Sequence, residues 1–372
     1  MDTKNAISKF INRYTEHGFE KIVSEDITTQ DPTLLFMNST MVHFKDRMQR
    51  KEYVEKTAIV QDCFRNNGDN RSLNSFTMIG VSAMIDALDI ATKCLLDFIY
   101  EDLQMNKNEL HFIVHRDDIE LEQLWLKYGL KENLHYTDEF DPIYSTRWKY
   151  GKDFNFTGRG ATLVHESTEV EHCSSQCDIF CRCKRYFQFG NIIIIENEDI
   201  QYIDIGCGLE RLLSFQSKND LYGMEEIQNE IAKLPHYIKE DEKRNIIYNL
   251  IRSLDKLFDT GFESGNQGSH YIIKSYIRKL VNELDDIMKC NYNVDILNGV
   301  LDEIVPLFLK KDKDTKFDIL KHEVDAYCKR IIKNIQLSKK VIEDSRLTQE
   351  EKVLIMKDRF GLPEQLSLKL LV

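Results

Sequence analysis

Ile203-Asp204-Ile205-Gly206-Cys207-Gly208-Leu209-Glu210-Arg211 is the stretch on which the reading of this chain turns. The pattern predicts a strand over Gln201–Ile205 that runs into two glycines and then the start of a helix. Glycine lets a ligand approach the backbone, and a helix N-terminus favours anions. Arg211 closes the stretch with a planar, permanently charged fork that matches phosphate bidentately. Taken alone, Arg211 reads as a surface ion pair; the strand–glycine–helix setting favours a phosphate. Just upstream, Tyr186–Glu196 reads as a second strand. Its run Ile192–Ile195 is typical of a buried strand, and Asn197-Glu198-Asp199 forms the turn between the two.

Working outward, Leu110–His115 reads as a strand and Ala83–Tyr100 as a helix with apolar residues at helical spacing. Beyond Pro235 the chain changes character. Asn245–Asp259, Tyr271–Lys289 and Leu320–Asp344 carry apolar stripes alternating with charge, and the glycine-rich segment Gly261–Gly268 separates the first two. A boundary therefore falls at about residue 235. A mainly antiparallel sheet flanked by helices, followed by an all-helical domain, makes an α+β protein of two domains, 1–235 and 236–372.

The 372 residues are 42% hydrophobic and 30% charged, which suits a globular core. Mean hydropathy is −0.42, and no apolar run approaches the length of a bilayer span. The first ten residues lack a basic-then-apolar signal pattern, so the reading is a cytoplasmic protein with no membrane partner. The net charge of −12 argues against a simple nucleic-acid coat. It is unevenly spread. Residues 1–230 hold 25 Lys and Arg against 39 Asp and Glu, and residues 231–372 hold 25 against 23. A polyanion is repelled less by the second part; two domains of different ancestry would leave the same trace.

Phosphate-binding loops of the G-x-x-x-x-G-K-[ST] and G-x-G-x-x-G kinds are absent, so a nucleotide must be held by arginines. Besides Arg211, Arg65 ends Gln61-Asp62-Cys63-Phe64-Arg65, just before the polar turn Asn66-Asn67-Gly68-Asp69-Asn70. Among the nine cysteines, Cys63, Cys94, Cys290 and Cys328 are scattered and read as small core residues. Cys173, Cys177, Cys181 and Cys183 crowd into eleven residues. Four thiolates can close a tetrahedral structural Zn²⁺ site, with His172 as a substitute ligand; reduced free thiols are the alternative.

Several segments together resemble the alanyl-tRNA synthetase family of class II aminoacyl-tRNA synthetases. Asp204 to Arg211 resembles its D-T-G-M-G-L-E-R motif. Asp31-Pro32-Thr33-Leu34-Leu35-Phe36-Met37-Asn38, with Met41 and Phe44-Lys45-Asp46, resembles D-P-T-L-L-F-T-N-A-G-M-x-x-F-K-D. Gln61 to Arg65 resembles S-Q-x-C-x-R, and Phe76, Met78, Ile79 and Gly80 resemble the returning strand F-F-E-M-L-G. Lys357-Asp358-Arg359-Phe360-Gly361-Leu362-Pro363 resembles Y-D-T-Y-G-F-P. The matches occur in order over nearly the whole chain. They end just after Pro363, so the family's editing and C-terminal domains are not expected. Some synthetase-like proteins carry a comparable cysteine-rich insert before this strand, here residues 172–183.

The resemblance implies a ligase that uses ATP and Mg²⁺ to activate a small amino acid, alanine or similar, as an aminoacyl-adenylate and passes it to tRNA. It implies that Arg65 holds the α-phosphate and the substrate carboxylate, and that Arg211 holds the outer phosphates. Arg71, Phe76, Met78, Gly206 and Gly208 complete the ATP site. Asp204 binds the substrate ammonium, with Trp148, Asn191, Ile193 and Cys207 around a small side-chain pocket. Asn266 and Asp358 fall where the family reads a G·U pair in the acceptor stem, and Lys274, Arg278 and Lys279 remain of its arginine-rich helix. These three cations also read as a solvated helix face.

The departures are specific. The family glutamate of F-F-E-M-L-G is Thr77, the turn at Asn66–Asn70 is short, Gly158-Arg159-Gly160-Ala161-Thr162 stands for G-P-C-G-P-C-[ST]-E, and Cys207 replaces methionine. A thinned basic helix weakens phosphate contacts. Two further readings stay open: an amide ligase that passes the activated amino acid to a small molecule or carrier, and a non-catalytic regulatory relative.

Overall fold

The computed structural model describes residues 1–66, 72–138, 145–149, 156–181, 183–309 and 312–371. The chain forms two compact units, Met1–Ala232 and Lys233–Val372.

Among the described residues the first unit is built on nine strands: β1 (Glu20–Ser24), β2 (Thr57–Phe64), β3 (Ser75–Met84), β4 (Leu110–His115), β5 (Leu134–Thr137), β6 (Arg147–Lys149), β7 (Thr157–Glu166), β8 (Tyr186–Asn197) and β9 (Ile200–Gly208). Their order is β1-β2-β3-β9-β8-β7-β4-β5, with β6 also on β7. Every pairing is antiparallel except β1–β2 and β4–β5. Helices α1 (Thr3–Thr15), α2 (Lys45–Gln49), α3 (Leu88–Asp97), α4 (Ile119–Lys127), α5 (Leu209–Leu213) and α6 (Glu225–Ile231) accompany it. This is the expected α+β arrangement.

Two local expectations are corrected. Ala83 and Met84 belong to β3, because they pair with Ile203 and Tyr202 of β9. The helix that follows is shorter than Ala83–Tyr100: α3 ends at Asp97 and gives way to a wider turn over Phe98–Asp102. Gly206 and Gly208 continue β9, paired with Gly80 and Met78, so the strand runs straight through the glycines. The helix after them, α5, is only five residues long. So short a helix carries little dipole, and anion binding here must rest on side chains.

Close strand approach explains two glycines. A Cβ on Gly80 would lie 2.3 Å from Ile205 O and 2.5 Å from Thr40 Oγ1. One on Gly160 would lie 2.2 Å from Ile192 O and 3.0 Å from Trp148 Cζ3. Side chain here would push apart the strands on which the site stands.

The segment from Asp31 to Lys45 is pinned across one face. Lys45 Nζ donates to Asp31 (2.5 Å) and to Thr33 Oγ1 (2.8 Å), and both charged groups are buried. Burial alone would raise Asp31, but the bonds from Lys45 and Thr33 hold its pKa below the usual carboxylate range. Met41 and Phe44, carried by this segment, and Met48 of α2 join Ile59, Ile193, Ile195 and Tyr202 in a common core.

The second unit is helical: α7 (Asp241–Phe258), α8 (Gly268–Met288), α9 (Val294–Ile304), α10 (Lys313–Ile342), α11 (Gln349–Phe360) and α12 (Glu364–Lys369). Thr348 and Glu351 form a reciprocal capping box at the start of α11. Lys316, buried, is neutralised by Asp255 and Asp259, each at 2.6 Å. Among the described residues no helix is long and apolar enough to cross a membrane.

Candidate active site

Residues that pair across a sheet share a face, so the register alone assembles a site. Asp204 pairs with Ser82 of β3 and Ile193 of β8; Gly206 pairs with Gly80 and Asn191. Gly160 and Thr162 of β7 oppose Ile193 and Asn191. At the end of this face lies an open cleft. Its lining includes Arg65, Phe76, Met78, Asn191, Gly206, Gly208 and Arg211, together with Ser72, Gln188, Phe189, Glu210 and Leu221.

Both arginines are held in place by the protein. Arg65 follows β2; its Nε and Nη2 donate to Asn38 O at 2.9 and 2.6 Å, and its guanidinium lies 5.3 Å from the Phe76 ring centre. Burial lowers its pKa, opposed by Cys63 and Asp204; an arginine stays charged regardless. Arg211 donates to Ser72 Oγ (2.7 Å) and Gln188 O (3.2 Å), and lies 5.5 Å from the Phe187 ring centre. Glu210 is turned inward, accepting from Thr77 N at 3.0 and 3.2 Å, while Thr77 Oγ1 donates to Asp62 at 2.9 Å. The threonine that replaces the expected glutamate thus ties β2 to β3.

Asp204 continues the face two residues beyond Gly206. It is 8% exposed, and its Oδ1 is buried with no hydrogen-bond partner among the described residues. Burial drives the carboxyl up to about 7, against the attraction of Arg65. A buried acceptor left open in this way is what an incoming ammonium group would satisfy. Ile193 and Trp148 share one apolar cluster beside it. Asn191 Oδ1 accepts from Thr162 Oγ1 (3.0 Å) and Gln188 Nε2 (3.3 Å), which orients its amide.

Cys207 is the exception. It pairs with Ile79 and Gly190, so it lies on the opposite face of β9 from Asp204 and does not line the cleft. It is fully buried, and a Cβ on Gly190 would meet its sulfur at 2.4 Å. The alternation of side chains along a strand removes it from the substrate pocket. Arg71 lies outside the described residues.

The four clustered cysteines converge. Cys173 and Cys181 Sγ are 3.4 Å apart, Cys177 and Cys183 Sγ 3.6 Å, and all four sulfurs lie within 4.8 Å of one another. A tetrahedral ion with bonds of about 2.3 Å sets its sulfurs about 3.8 Å apart, so the donor set fits Zn²⁺ with little adjustment. His172 stays outside this group, with its Nδ1 on Cys177 O at 3.3 Å.

In the helical unit the predicted cations are partly engaged. Lys274 Nζ donates to Asn266 Oδ1 (3.3 Å) and lies 3.8 Å from Glu323. Arg278 is half-buried against the Tyr327 ring at 5.6 Å, and burial and Arg330 lower its pKa. Lys279 lies over Tyr276 at 4.6 Å. Asp358 is exposed on α11.

The site thus sets two fixed guanidinium groups in a cleft beside an open buried carboxylate on a mainly antiparallel sheet. The family model for class II (A) tRNA synthetases matches residues 6–371, and the chain belongs to that family. It is 27% identical to the alanine–tRNA ligase of Nitratidesulfovibrio vulgaris over 75% of this chain and 35% of that protein. With the alanine–tRNA ligase of Elusimicrobium minutum it shares 24% identity over 99% of this chain and 46% of that protein. The chain thus spans less than half the length of these relatives. Among solved structures it is similar to apo Staphylococcus aureus histidyl-tRNA synthetase, with a TM-score of 0.39 and 8% identity over 58% of this chain and 69% of that one.

Sequence reasoning had not assigned Ser72, Gln188, Glu210 and Leu221 to the site. Glu210 lies within a quoted motif and Gln188 on the strand that carries Asn191; Ser72 and Leu221 reach the cleft through tertiary packing.

Asp204→Asn tests the open carboxylate without any ligand. A carboxyl whose folded pKa is raised stabilises the fold fully at pH values below its unfolded value, and that contribution is lost as pH climbs through about 7. The variant is therefore expected to melt several degrees above the parent at pH 8, with the gap closing towards pH 4. A gap independent of pH would show that Asp204 already has a partner.

Proposed function

We propose that this chain is an ATP-dependent ligase that activates a small amino acid, alanine or similar, and transfers it to tRNA. The open buried carboxylate of Asp204, on the same face as Arg65 and Arg211, carries this reading. The substrate ammonium would complete Asp204, and the face beyond it, with Trp148, Ile193 and Asn191, would bound a short side chain. Arg65 would then meet the substrate carboxylate and the α-phosphate together, and Arg211 the outer phosphates. A carboxylate oxygen attacks the α-phosphorus, the bond to the β-phosphate oxygen breaks, and pyrophosphate leaves with the electron pair. Such a reaction needs charge neutralisation and in-line placement more than proton transfer. Mg²⁺ would supply further positive charge to the phosphates, and Glu210 is the carboxylate on the cleft lining that would face it.

In the second step a ribose hydroxyl of the tRNA end attacks the acyl carbon and AMP leaves. Asn266, Lys274, Arg278, Lys279 and Asp358 are proposed to meet the acceptor stem. The contacts of Lys274 with Asn266 and Glu323 favour a second reading in which a small molecule or carrier is the acceptor, because a lysine already facing an acid contributes less to phosphate binding. For the cysteine cluster we propose one structural Zn²⁺ held by Cys173, Cys177, Cys181 and Cys183.

Pyrophosphate exchange into ATP is expected with a small amino acid and Mg²⁺. Arg65→Ala and Arg211→Ala should each lose on the order of 3 kcal/mol of transition-state stabilisation, about a hundredfold in rate. Parent-like exchange in both variants would overturn the roles given to them.

If tRNA is the acceptor, Asn266→Ala and Asp358→Ala should each lower charging about tenfold while leaving exchange intact, the cost of roughly 1–3 kcal/mol for a lost base contact. Equal charging by all three proteins, or no tRNA binding at low salt, favours the small acceptor.

Elemental analysis of protein purified without added metal should give one zinc per chain. A zinc-free protein of the same melting temperature after chelator treatment would identify the cluster as free thiols.

A further inference from the structure

We propose that Asn219 is a positioning residue that couples the four-cysteine cluster to the wall of the nucleotide cleft. The inference rests on the zinc and nucleotide readings above, but its structural basis is independent of both. Asn219 is buried, and with Lys218 it forms a pair of consecutive residues at φ of +62° and +57°. Asparagine tolerates this left-handed backbone, which turns the chain after the short helical segment Ser214–Ser217.

The carboxamide closes a knot between three chain segments. Its Nδ2 donates to Lys184 O (3.0 Å) and Arg185 O (2.9 Å), the two residues that follow Cys183. Its Oδ1 meets His165 Nδ1 at 2.5 Å, on β7. With two N–H donors and one carbonyl, the side chain is fully used. Arg185 O accepts a second bond from Ser167 N at 2.8 Å, and the Arg185 side chain holds Glu166 at 2.6 Å. The exit from the cysteine loop is thus fixed to both β7 and the Asn219 turn.

Two routes lead from this knot to the cleft. Two residues past Asn219, Leu221 lines it. On the other side, His165 stacks on Phe215 with ring centres 4.1 Å apart, and Phe215 meets Phe189, another lining residue, edge-on at 5.2 Å. The surface pairs Lys184–Asp220 (2.6 Å) and Lys218–Glu169 (3.4 Å) run parallel to this link, but exposed pairs contribute little. At its far side the cysteine loop is seated on the sheet through Ile179, which packs with Ile113 and Val164.

An ion on the four sulfurs would fix Cys183, and with it the carbonyls of Lys184 and Arg185 that Asn219 holds. Without it, the four sulfurs share no common anchor, and the carbonyl pair loses one hold. The cleft wall at Phe189 and Leu221 then opens more often, as segments with few remaining constraints do.

Hydrogen–deuterium exchange on the full chain, zinc-loaded and after chelation, tests this. In the parent, chelation should accelerate exchange about tenfold in peptides covering 186–191 and 214–223. Asn219→Gly keeps the left-handed turn and deletes the carboxamide. It should retain one zinc per chain, exchange fast in both peptides from the outset, and gain less than about twofold on chelation. Should that variant fail to fold, Asn219→Asp replaces it, keeping the oxygen towards His165 and losing both donors. Failure of the thiols to take up Zn²⁺, unchanged exchange at 214–223 in the chelated parent, or an equal chelation effect in the variant overturns the coupling. Titration calorimetry with ATP is read separately: no binding by the zinc-loaded parent sinks the nucleotide reading and leaves the exchange result standing.

Discussion

An open, buried carboxylate is the constraint around which the first unit is arranged. Asp204 sits on the face of a central strand where water is excluded, and its Oδ1 has no partner among the described residues. Burying such a group costs stability unless something fills the gap. Arg65, whose charge acts on Asp204, spends its Nε and Nη2 donors on the carbonyl of Asn38. Under the proposed function, an incoming ammonium would complete Asp204 while its anion met Arg65. Stability given up at a binding site is a familiar consequence of selection for function.

Holding that site open demands stiffness around it. The buried Asp31–Lys45 pair fixes the segment that carries Met41 and Phe44 under the sheet. Gly80 and Gly160 allow the strands to approach closely enough for Asp204, Ile193 and Gly160 to lie in one row. Thr77 joins β2 to β3 through Asp62 and Glu210. Arg211 is braced by Ser72 and Gln188. Each of these contacts orients a group before any ligand arrives, which is how a rigid scaffold lowers the cost of binding.

The cysteine-rich segment belongs to the same scheme. Its thiols lie at the spacing of a tetrahedral ion, and its exit residues share the Asn219 knot with β7. The helical unit is organised by different means, with capping, buried acid–lysine groups such as Lys316 with Asp255 and Asp259, and amphipathic packing. Its cations rest on aromatic rings and on Glu323, so its surface charge is tempered by local partners.

The sequence by itself determined the strands at Leu110–His115, Tyr186–Glu196 and Gln201–Ile205 and the change from a sheet-built to a helical architecture. Ile192–Ile195 and Asp204–Arg211 are legible because local pattern and motif agree there. Asp204 and Arg211 could be named from the second of these, Arg65 from Gln61–Arg65, and Asn191 from the family resemblance. The tertiary structure decided what depends on register. One residue of strand alternation places Cys207 behind the sheet and Asp204 in front of it, and strand pairing made Gly206 and Gly208 part of β9 instead of a loop. It also brought Ser72, Leu221 and Asn219 to the site and its supports, since no local pattern marks a residue whose role is set by partners dozens of positions away. Sequence patterns record which face a residue prefers; only the folded sheet fixes which faces meet.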